Sequence, residues 1–478
     1  MLCSELVLHG FSKGAKRSSL RAFRLTGNKT ILNRFVGESY NKQKALRIVW
    51  TDLNMRGAFA MDYWTVRGGN RLEGSCRVQG SKNASLPILA AAVLSGGETE
   101  LTNVPRLRDI DAALRILRHL GCRTQQEGNR LYIDARGLVK SEVPDALMQE
   151  MRSSVIFMGA LLARCGEARL SPPGGCQLGR RPIDLHLSAL RQLGCEISER
   201  SGEIFCRAAR LRGTCIRLPF PSVGATENAM LAATAAEGET VIDGAAREPE
   251  IVALQGFLNA MGSRVSGAGT ARIVIAPCPL RGGARYAIQS DRIAAATLAC
   301  AAAGTGGEIE LQNVQPEHFS TVLHFLKQAG CDIIIKQRSV IIRAGGRLRA
   351  VGSVLTEPYP GFPTDAQPVL MAALLRAEGV TRMRETIFEN RFRQVPELRK
   401  LGADIRLEGQ EAEIRGVERL QGAKLEATDL RGGAAMILAG LAAEGVTELR
   451  DEGHITRGYE ELDRILCGLG AEVRRTNL

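Results

Sequence analysis

The sequence predicts an α/β protein built from six βαβαββ-type repeats, three in each of two lobes. Two observations predict this fold: a motif centred on glycine recurs six times, and a second glycine followed by an alternating, strand-like run precedes each copy. The composition agrees, because 45% hydrophobic and 24% charged residues in 478 positions are typical of a globular protein. Collagen, coiled-coil and wholly disordered proteins are thereby excluded.

The first motif places a glycine between an apolar and a small residue. Its copies are 73, 68, 68, 72 and 68 residues apart, and the second glycine lies 23 to 28 residues before each of them. Such regular spacing is not expected by chance. The central glycines of the first motif are Gly121, Gly194, Gly262, Gly330, Gly402 and Gly470. The preceding glycines are Gly97, Gly166, Gly238, Gly307, Gly379 and Gly445.

Each repeat is predicted to contain the same elements. The first repeat begins with a helix of small residues at 86–94, followed by a short strand at 99–104. An amphipathic helix at 111–120 comes next, with leucines on one face. The recurring glycine suits the end of this helix, where a left-handed backbone causes no side-chain clash. Alternating strands such as 131–133 complete the repeat.

We expect the repeats to be grouped into two lobes with the active site in the cleft between them. Residues 82–289 are predicted to form the first lobe. Residues 61–81 and 290–478 are predicted to form the second lobe. Clefts between domains are frequent ligand sites. No run of 18 apolar residues occurs, so no membrane span is predicted.

The net charge of +12 is concentrated at the N-terminus. Residues 1–60 carry eleven basic and three acidic residues, giving +8, whereas the remainder carries 52 and 48, giving +4. The charge therefore does not indicate a nucleic-acid-binding protein. We expect residues 1–60 to be a basic extension that is disordered, or translated sequence before a true start at Met55 or Met61. A transit peptide is an alternative interpretation.

The twelve cysteines show no Cys-x-x-Cys pair, and no His-x-x-x-His occurs, so a structural zinc site is not indicated. Cys122, Cys195 and Cys331 follow the repeat glycine, where Ser or Ala also occurs, which predicts small buried residues. Free thiols in this number favour a reducing, cytoplasmic location. His186 is the one histidine near a candidate site, and a packing role is its simpler interpretation.

Two segments interrupt the repeat in the first half of the chain. Lys82 precedes an apolar helix, where a cation and backbone N–H groups favour an anion, although an ordinary helix cap would look the same. The Gly/Pro-rich loop 171–182 carries Cys176 beside Arg180 and Arg181. These arginines would lower the pKa of the thiol and hold an anion, whereas an incidental loop cysteine is the alternative.

Further segments interrupt the repeat in the second half. Three prolines between 358 and 363 precede Asp365, a candidate general base for a hydroxyl or else a helix-capping residue. Arg391, Arg431 and Arg457 lie beside repeat boundaries. Arginine suits the bidentate capture of carboxylate and phosphate, so the three favour convergence on an anionic ligand, although each alone is usually a salt-bridge partner.

Taken together, these segments resemble the UDP-N-acetylglucosamine 1-carboxyvinyltransferase family from Met61 to the C-terminus. That resemblance implies a two-lobed inside-out α/β barrel that transfers enolpyruvate from phosphoenolpyruvate to the 3-hydroxyl of UDP-N-acetylglucosamine, releasing phosphate. This reaction is the first committed step of peptidoglycan biosynthesis. The matching segments are 79–86, 173–185, 221–226, 245–251, 362–365, 388–392, 427–431 and 457–459.

The resemblance also implies roles for individual residues. Cys176 protonates the substrate carbon and forms a covalent adduct, and Asp365 is positioned at the sugar hydroxyl. Lys82 and Arg457 complete the catalytic set. Phosphoenolpyruvate is bound by Lys82, Asn83, Arg181, Arg391, Arg431 and Arg457. UDP-N-acetylglucosamine is bound by Asn83, Arg152, Arg181, Pro182, Ile183, Asp184, Leu185, Ser222, Val223, Gly224, Asp365 and Ile387.

The implied partners are the two small-molecule substrates, without nucleic acid, membrane, metal or other cofactor, and a monomer is favoured. Two residues depart from the family pattern: Phe220 stands where many members carry Lys, and Arg180 where a small residue is common. Three alternatives are weighed. A shikimate-pathway enolpyruvyl transferase would leave the cysteine loop unexplained, a non-catalytic UDP-sugar-binding paralogue would not need an acid and a base, and a nucleic-acid binder would rely on residues 1–60.

Overall fold

The computed structural model describes residues 61–172, 183–200, 202–280 and 282–477, and of Arg200 only the backbone. The predictions for residues 1–60, Cys176, Arg180, Arg181 and Pro182 concern positions outside these ranges. Within the described part of the chain, no helix is both long and apolar enough to cross a bilayer.

Six four-stranded sheets with one common plan contain the strands of the described residues. From one edge of each sheet to the other, the first two neighbouring strands run parallel, and the two remaining neighbouring pairs run antiparallel. The first twelve strands are β1 (Asp62–Arg67), β2 (Glu73–Arg77), β3 (Glu98–Thr102), β4 (Arg123–Glu127), β5 (Arg130–Asp134), β6 (Glu142–Val143), β7 (Glu167–Leu170), β8 (Glu196–Arg200), β9 (Glu203–Arg207), β10 (Cys215–Arg217), β11 (Thr240–Asp243) and β12 (Arg264–Ser266). The others are β13 (Arg272–Ala276), β14 (Arg285–Ala287), β15 (Glu308–Gln312), β16 (Asp332–Ile335), β17 (Ser339–Arg343), β18 (Gly352–Leu355), β19 (Val380–Arg384), β20 (Asp404–Glu408), β21 (Glu411–Arg415), β22 (Lys424–Glu426), β23 (Val446–Asp451) and β24 (Glu472–Asn477).

The helices fall into an inner and an outer set. The inner helices are rich in small residues and buried on nearly every side, and the three that begin at Arg292, Gln367 and Leu430 pack on one another. Helices inside and sheets outside form the predicted inside-out arrangement. The inner helices are α1 (Lys82–Ala91), α4 (Phe157–Cys165), α6 (Val223–Ala233), α8 (Arg292–Thr305), α10 (Gln367–Leu374) and α12 (Leu430–Ala442). The others are α2 (Arg108–Leu120), α3 (Asp145–Met148), α5 (Asp184–Gln192), α7 (Pro249–Ala260), α9 (Ser320–Gln328), α11 (Val395–Lys400) and α13 (Leu462–Gly468).

Buried apolar side chains form two separate clusters. The first core runs from Ala84 to Ile288. The second core combines residues from Trp64 to Val78 with residues from Ala294 to Val473. The predicted lobe boundaries, 82–289 against 61–81 and 290–478, stay a prediction.

Three sheets draw a strand from a distant part of the sequence. β2 directly precedes α1 but pairs with β15, and β14 directly precedes α8 but pairs with β3. The N-terminal strand β1 completes the last sheet between β23 and β24. Not every repeat is therefore a continuous stretch of the chain, and the sequence of a single repeat does not reveal this.

The two segments that connect the cores run side by side. The backbone N–H of Ser81 donates to the carbonyl of Gln289 at 2.7 Å, and that of Asp291 donates to the carbonyl of Gln79 at 2.9 Å. Gly80 is required here, because a Cβ atom would lie 1.7 Å from the carbonyl oxygen of Asn103. These bonds fix the starts of α1 and α8 next to each other.

The recurring glycine ends the outer helix in all six repeats, as predicted. Its φ angle lies between 90° and 105° in every copy, a left-handed conformation that favours glycine. The small residue that follows is 4–7% exposed in every copy, which confirms the prediction of small buried residues. These residues are Cys122, Cys195, Ser263, Cys331, Ala403 and Ala471.

The predicted element bounds in the first repeat need correction. The helix predicted at 86–94 begins at Lys82, because Ser81 caps it by accepting a hydrogen bond from the Ala84 N–H. The strand predicted at 99–104 ends at Thr102, because Asn103 adopts a φ of 58° and ends the extended run.

Candidate active site

A cleft of about 470 Å³ is lined by residues of both cores. Each of the six inner helices contributes lining residues at its N-terminus or in the short segment before it. N-termini carry partial positive charge and unpaired N–H groups, so their convergence favours an anionic ligand. The described residues contain no group of three or more His, Cys, Asp or Glu side chains suited to hold a metal ion.

One ion-pair network lies at the start of α1. Lys82 Nζ is 2.8 Å from Asp109 Oδ2, and Arg457 Nε is 2.8 Å from Asp109 Oδ1. Burial opposes ionisation of Asp109, but the charges of Lys82 and Arg457 outweigh it and hold the pKa of this carboxyl below its ordinary value. The network therefore places two cations on one ionised carboxylate.

A second network surrounds Asp365. Its Oδ1 accepts a hydrogen bond from Arg391 Nη2 at 2.9 Å, and its Oδ2 accepts from Arg431 Nη2 at 3.2 Å. Arg391 also donates through Nε to the Thr364 carbonyl at 3.1 Å. Two guanidinium groups that are almost fully buried thus orient a carboxylate that remains 31% exposed to the cleft.

Arg431 is held rigidly in this second network. Its guanidinium lies 5.2 Å from the ring centroid of Tyr459, whose hydroxyl is 2.9 Å from Thr297 Oγ1. Asp429 caps α12 by accepting from the Arg431 and Gly432 N–H groups. Burial opposes the charge, yet Tyr459 and Asp365 raise the pKa of Arg431 above its ordinary value, so it stays cationic.

An acidic group forms another wall of the cleft. Arg292 Nε lies 2.9 Å from Glu250 Oε1, and both side chains are buried. Glu227 is buried as well, and burial, followed by the charges of Glu250 and Glu248, raises its pKa well above the ordinary value. Burial also raises the pKa of Glu248. This wall thus carries three carboxyl groups and one arginine, which is paired with Glu250.

Most of the predicted site residues that the structure describes line this one cleft. Asp184 and Leu185, in the first turn of α5, are not among the lining residues. Cys176, Arg181 and Pro182 lie outside the described residues. Phe220, 45% exposed, also lines the cleft. The predicted residues that line it are Lys82, Asn83, Arg152, Ile183, Ser222, Val223, Gly224, Asp365, Ile387, Arg391, Arg431 and Arg457.

Several charged residues of the cleft were not predicted from the sequence. Asp109 lies in the first turn of an amphipathic helix, where acidic residues are common, so nothing in the sequence marks it as buried. Glu248 and Glu250 lie in the segment 245–251, but their residue type does not distinguish them from surface acids. Glu227 lies within α6 and Arg292 is the first residue of α8, and a charged residue in such an apolar segment is a signal that could have indicated them.

The chain is similar to known carboxyvinyltransferases over most of its length. The family model described as EPSP synthase (3-phosphoshikimate 1-carboxyvinyltransferase) matches residues 66–466. A UDP-N-acetylglucosamine 1-carboxyvinyltransferase 2 of Caldanaerobacter subterraneus is 49% identical over 415 residues, which are 87% of this chain and 100% of that protein. A UDP-N-acetylglucosamine 1-carboxyvinyltransferase 1 of Symbiobacterium thermophilum is 49% identical over 418 residues, 86% of this chain and 95% of that protein.

Solved structures share the fold. The enolpyruvyl transferase NikO from Streptomyces tendae superposes with a TM-score of 0.78 at 25% identity, covering 88% of this chain and all of that one. EPSP synthase from Acinetobacter baumannii gives a TM-score of 0.66 at 21% identity, covering 87% of this chain and all of that one, a likeness of fold alone. Because its sequence and its fold match theirs, the chain belongs to the enolpyruvyl transferases, and among them to the UDP-N-acetylglucosamine 1-carboxyvinyltransferase family.

Proposed function

We propose that this protein transfers the enolpyruvyl group of phosphoenolpyruvate to the 3-hydroxyl of UDP-N-acetylglucosamine and releases phosphate. The observation that carries the proposal is the convergence of Lys82, Asp365, Arg391, Arg431 and Arg457 in one cleft. Relatives that are 44–49% identical and match over 95–100% of their own length carry the name of this activity. The reaction commits its sugar nucleotide to peptidoglycan biosynthesis.

Phosphoenolpyruvate carries two anionic groups that match the cations of the cleft. Lys82 and Asn83, at the start of α1, bind its phosphate together with Arg181. Arg431 and Arg457 bind its carboxylate, and Arg391 lies beside the reacting carbon through its bond to Asp365. Buried and preorganised cations stabilise developing charge without having to reorient during the reaction.

UDP-N-acetylglucosamine occupies the rest of the cleft. Ser222, Val223 and Gly224, at the start of α6, and Arg152 face its diphosphate, while Ile387 and Asn83 contact the sugar. Residues 181–185 complete this subsite. Phe220 supplies an apolar contact near the uridine where other members carry a cation.

The chemistry proceeds by addition and elimination. The Cys176 thiol gives its proton to carbon 3 of phosphoenolpyruvate, and carbon 2 becomes cationic. The sugar hydroxyl attacks carbon 2 and loses its proton to Asp365, which gives a tetrahedral ketal. The thiolate then takes a proton back from carbon 3, the bond from carbon 2 to the phosphate oxygen breaks, and phosphate leaves with the proton from Asp365.

The organisation of the chain follows from the same proposal. The first core corresponds to the lobe 82–289, the second core to the lobe 61–81 with 290–478, and substrates bind between them. Because nucleotide sugars and phosphoenolpyruvate are available in the cytoplasm, the enzyme acts there. It acts as a monomer without metal or other cofactor. Catalysis does not require residues 1–60.

The decisive experiment measures phosphate release by the full chain. Phosphate should appear from phosphoenolpyruvate only when UDP-N-acetylglucosamine is present. Equal release with shikimate 3-phosphate would assign the enzyme to the EPSP synthase activity instead. Binding of UDP-N-acetylglucosamine without any phosphate release would identify a non-catalytic paralogue.

A further inference from the structure

His186 is a histidine in the cleft wall that the proposed mechanism does not use. It lies in the first half of α5, is 9% exposed, and lines the cleft beside the start of α6. Its interpretation as a packing residue is incomplete, because its two ring nitrogens have different surroundings.

A chain of hydrogen bonds fixes which ring nitrogen carries the proton. The side-chain oxygen of Asn228 accepts from the Gly159 N–H at 2.7 Å, which defines the orientation of the amide. The Asn228 nitrogen therefore donates, to the Val155 carbonyl at 3.1 Å and to His186 Nδ1 at 2.7 Å. Because Nδ1 accepts a hydrogen bond, the proton of the neutral ring resides on Nε2.

The ring also stays neutral at physiological pH. Burial, and then the charge of Arg152, lower the pKa of His186 to about 4, although Asp184 acts in the opposite direction. Nε2 is consequently a permanent hydrogen-bond donor without charge. None of the described residues accepts a hydrogen bond from it.

Nε2 lies where an anion would meet the N-terminus of α6. A Cβ atom on Gly224 would be 2.7 Å from Cε1 and 3.1 Å from Nε2 of His186, so the ring packs directly on this first turn. Ser222 caps the eleven-residue helix through the Ala225 N–H, while the N–H groups of Val223 and Gly224 have no partner within the helix. Arg152, half-buried, lines the same part of the cleft.

We propose that His186 is a positioning and specificity residue that donates a hydrogen bond from Nε2 to a diphosphate oxygen of the nucleotide sugar, a role that rests on the proposed function. A neutral donor contributes direction, so that it favours a phosphate oxygen in one place. It complements Arg152, whose charge attracts the diphosphate over a longer distance than a hydrogen bond can act. The packing of the ring explains why residue 224 is a glycine.

Two amide substitutions separate this role from a structural one. In His186→Asn the amide occupies the position of Nδ1 and keeps a partner for Asn228, but the hydrogen-bond donor at the position of Nε2 is lost. In His186→Gln the amide reaches the position of Nε2 and keeps the donor, but the partner of Asn228 is lost. The exposed His324→Asn serves as the control for the chemical change.

The affinity for UDP is measured by calorimetry, and the KM for UDP-N-acetylglucosamine by phosphate release, with the full chain. We expect the Asn variant to weaken UDP binding and raise the KM roughly tenfold to a hundredfold, as for a lost hydrogen bond to a charged group. The Gln variant should stay within about threefold of the wild type, even where its melting temperature falls. The kcat of both variants should change less than the KM.

A structural role predicts the opposite order, with UDP affinity retained in the Asn variant and reduced in the Gln variant. That result, equal losses in both variants, or no loss in either, overturns the inference. A failure of the proposed function would give a different result, because the wild type would then neither bind UDP nor release phosphate with UDP-N-acetylglucosamine. A wild type that does both, together with an unaffected Asn variant, rejects only the role of His186.

Discussion

Asp109 and Arg457 form an ion pair across the boundary between the two cores, with Asp109 Oδ1 only 2.8 Å from Arg457 Nε. The same carboxylate holds Lys82 on its other oxygen. In the proposed reaction both cations bind the anionic groups of phosphoenolpyruvate, so Asp109 holds in place the groups that the substrate needs.

Replacing Asp109 by Asn should destabilise the protein by about 3–5 kcal/mol, because the buried Lys82 and the half-buried Arg457 lose their counter-charge. Inorganic phosphate should then raise the melting temperature of the variant more than that of the wild type, since an anion replaces the lost charge. Thermal denaturation with and without phosphate measures both effects. Asp134→Asn, at an exposed pair with Arg136, is the control and should change stability by less than about 1 kcal/mol. An equal response of Asp109→Asn and wild type to phosphate would contradict this account.

Replacing Asp365 by Asn tests the proposed general base. The amide keeps the size of the side chain but cannot take the hydroxyl proton, so kcat should fall roughly 10²–10⁴-fold. Affinity for UDP should remain, because the nucleotide lies in another part of the cleft. Phosphate-release kinetics and calorimetry distinguish the two quantities, with the exposed Asp404→Asn as the control. A kcat within a few-fold of the wild type would remove Asp365 from this role.

The raised pKa of Glu227 predicts a pH dependence of stability. In the unfolded chain this carboxyl loses its proton near pH 4.3, whereas in the folded protein it keeps the proton to a higher pH. The folded state therefore binds more protons above about pH 4.3, and stability falls as the pH rises towards the folded-state pKa. Glu227→Gln, which imitates the protonated form, should remove this loss.

The measurement compares melting temperatures of the wild type and Glu227→Gln at a mildly acidic and a mildly alkaline pH. The variant should gain stability relative to the wild type only on the alkaline side. The same replacement at exposed Glu199 is the control. A constant difference between Glu227→Gln and wild type at both pH values would refute the assignment of a proton to Glu227.

Cys176 is proposed as the acid and as the site of covalent adducts. An epoxide of the fosfomycin type should alkylate the wild type at this residue, and intact-protein mass spectrometry should show one added inhibitor molecule. Cys176→Ala should show no addition and no turnover, with an unchanged melting temperature. Buried Cys300→Ala is the matched control, because a fully buried thiol whose pKa is raised by burial is unreactive. Retained activity of Cys176→Ala would reject the acid role.

The fold was predictable because its determinants are local and repeated. A glycine that must adopt a left-handed conformation and a small residue that must fit beneath it occur in each copy, as at Gly330 and Cys331. The exchange of β2 and β14 between sheets was not predictable, because pairing partners distant in sequence leave no local pattern.

The candidate site was predictable only where a segment departs from the repeat. Asp365 and Arg431 lie in such segments, and the structure brings their side chains within 3.2 Å. Asp109 and Glu227 lie within regular helices, and their importance depends on what a helix from elsewhere places next to them. His186 was visible in the sequence, but its role depends on the orientation of the Asn228 amide, which only coordinates reveal.

The position of β1 between β23 and β24 has a consequence for biosynthesis. The first core comes from one uninterrupted stretch, so it can form while the ribosome is still translating. β1 emerges earlier than any of it, and Trp64 and Val66 of this strand are buried in the folded protein, yet its partners are made only after the whole first core. The nascent chain must therefore keep an aggregation-prone strand unpaired until β23 and β24 have been synthesised, when the second core closes and the two walls of the cleft first coexist.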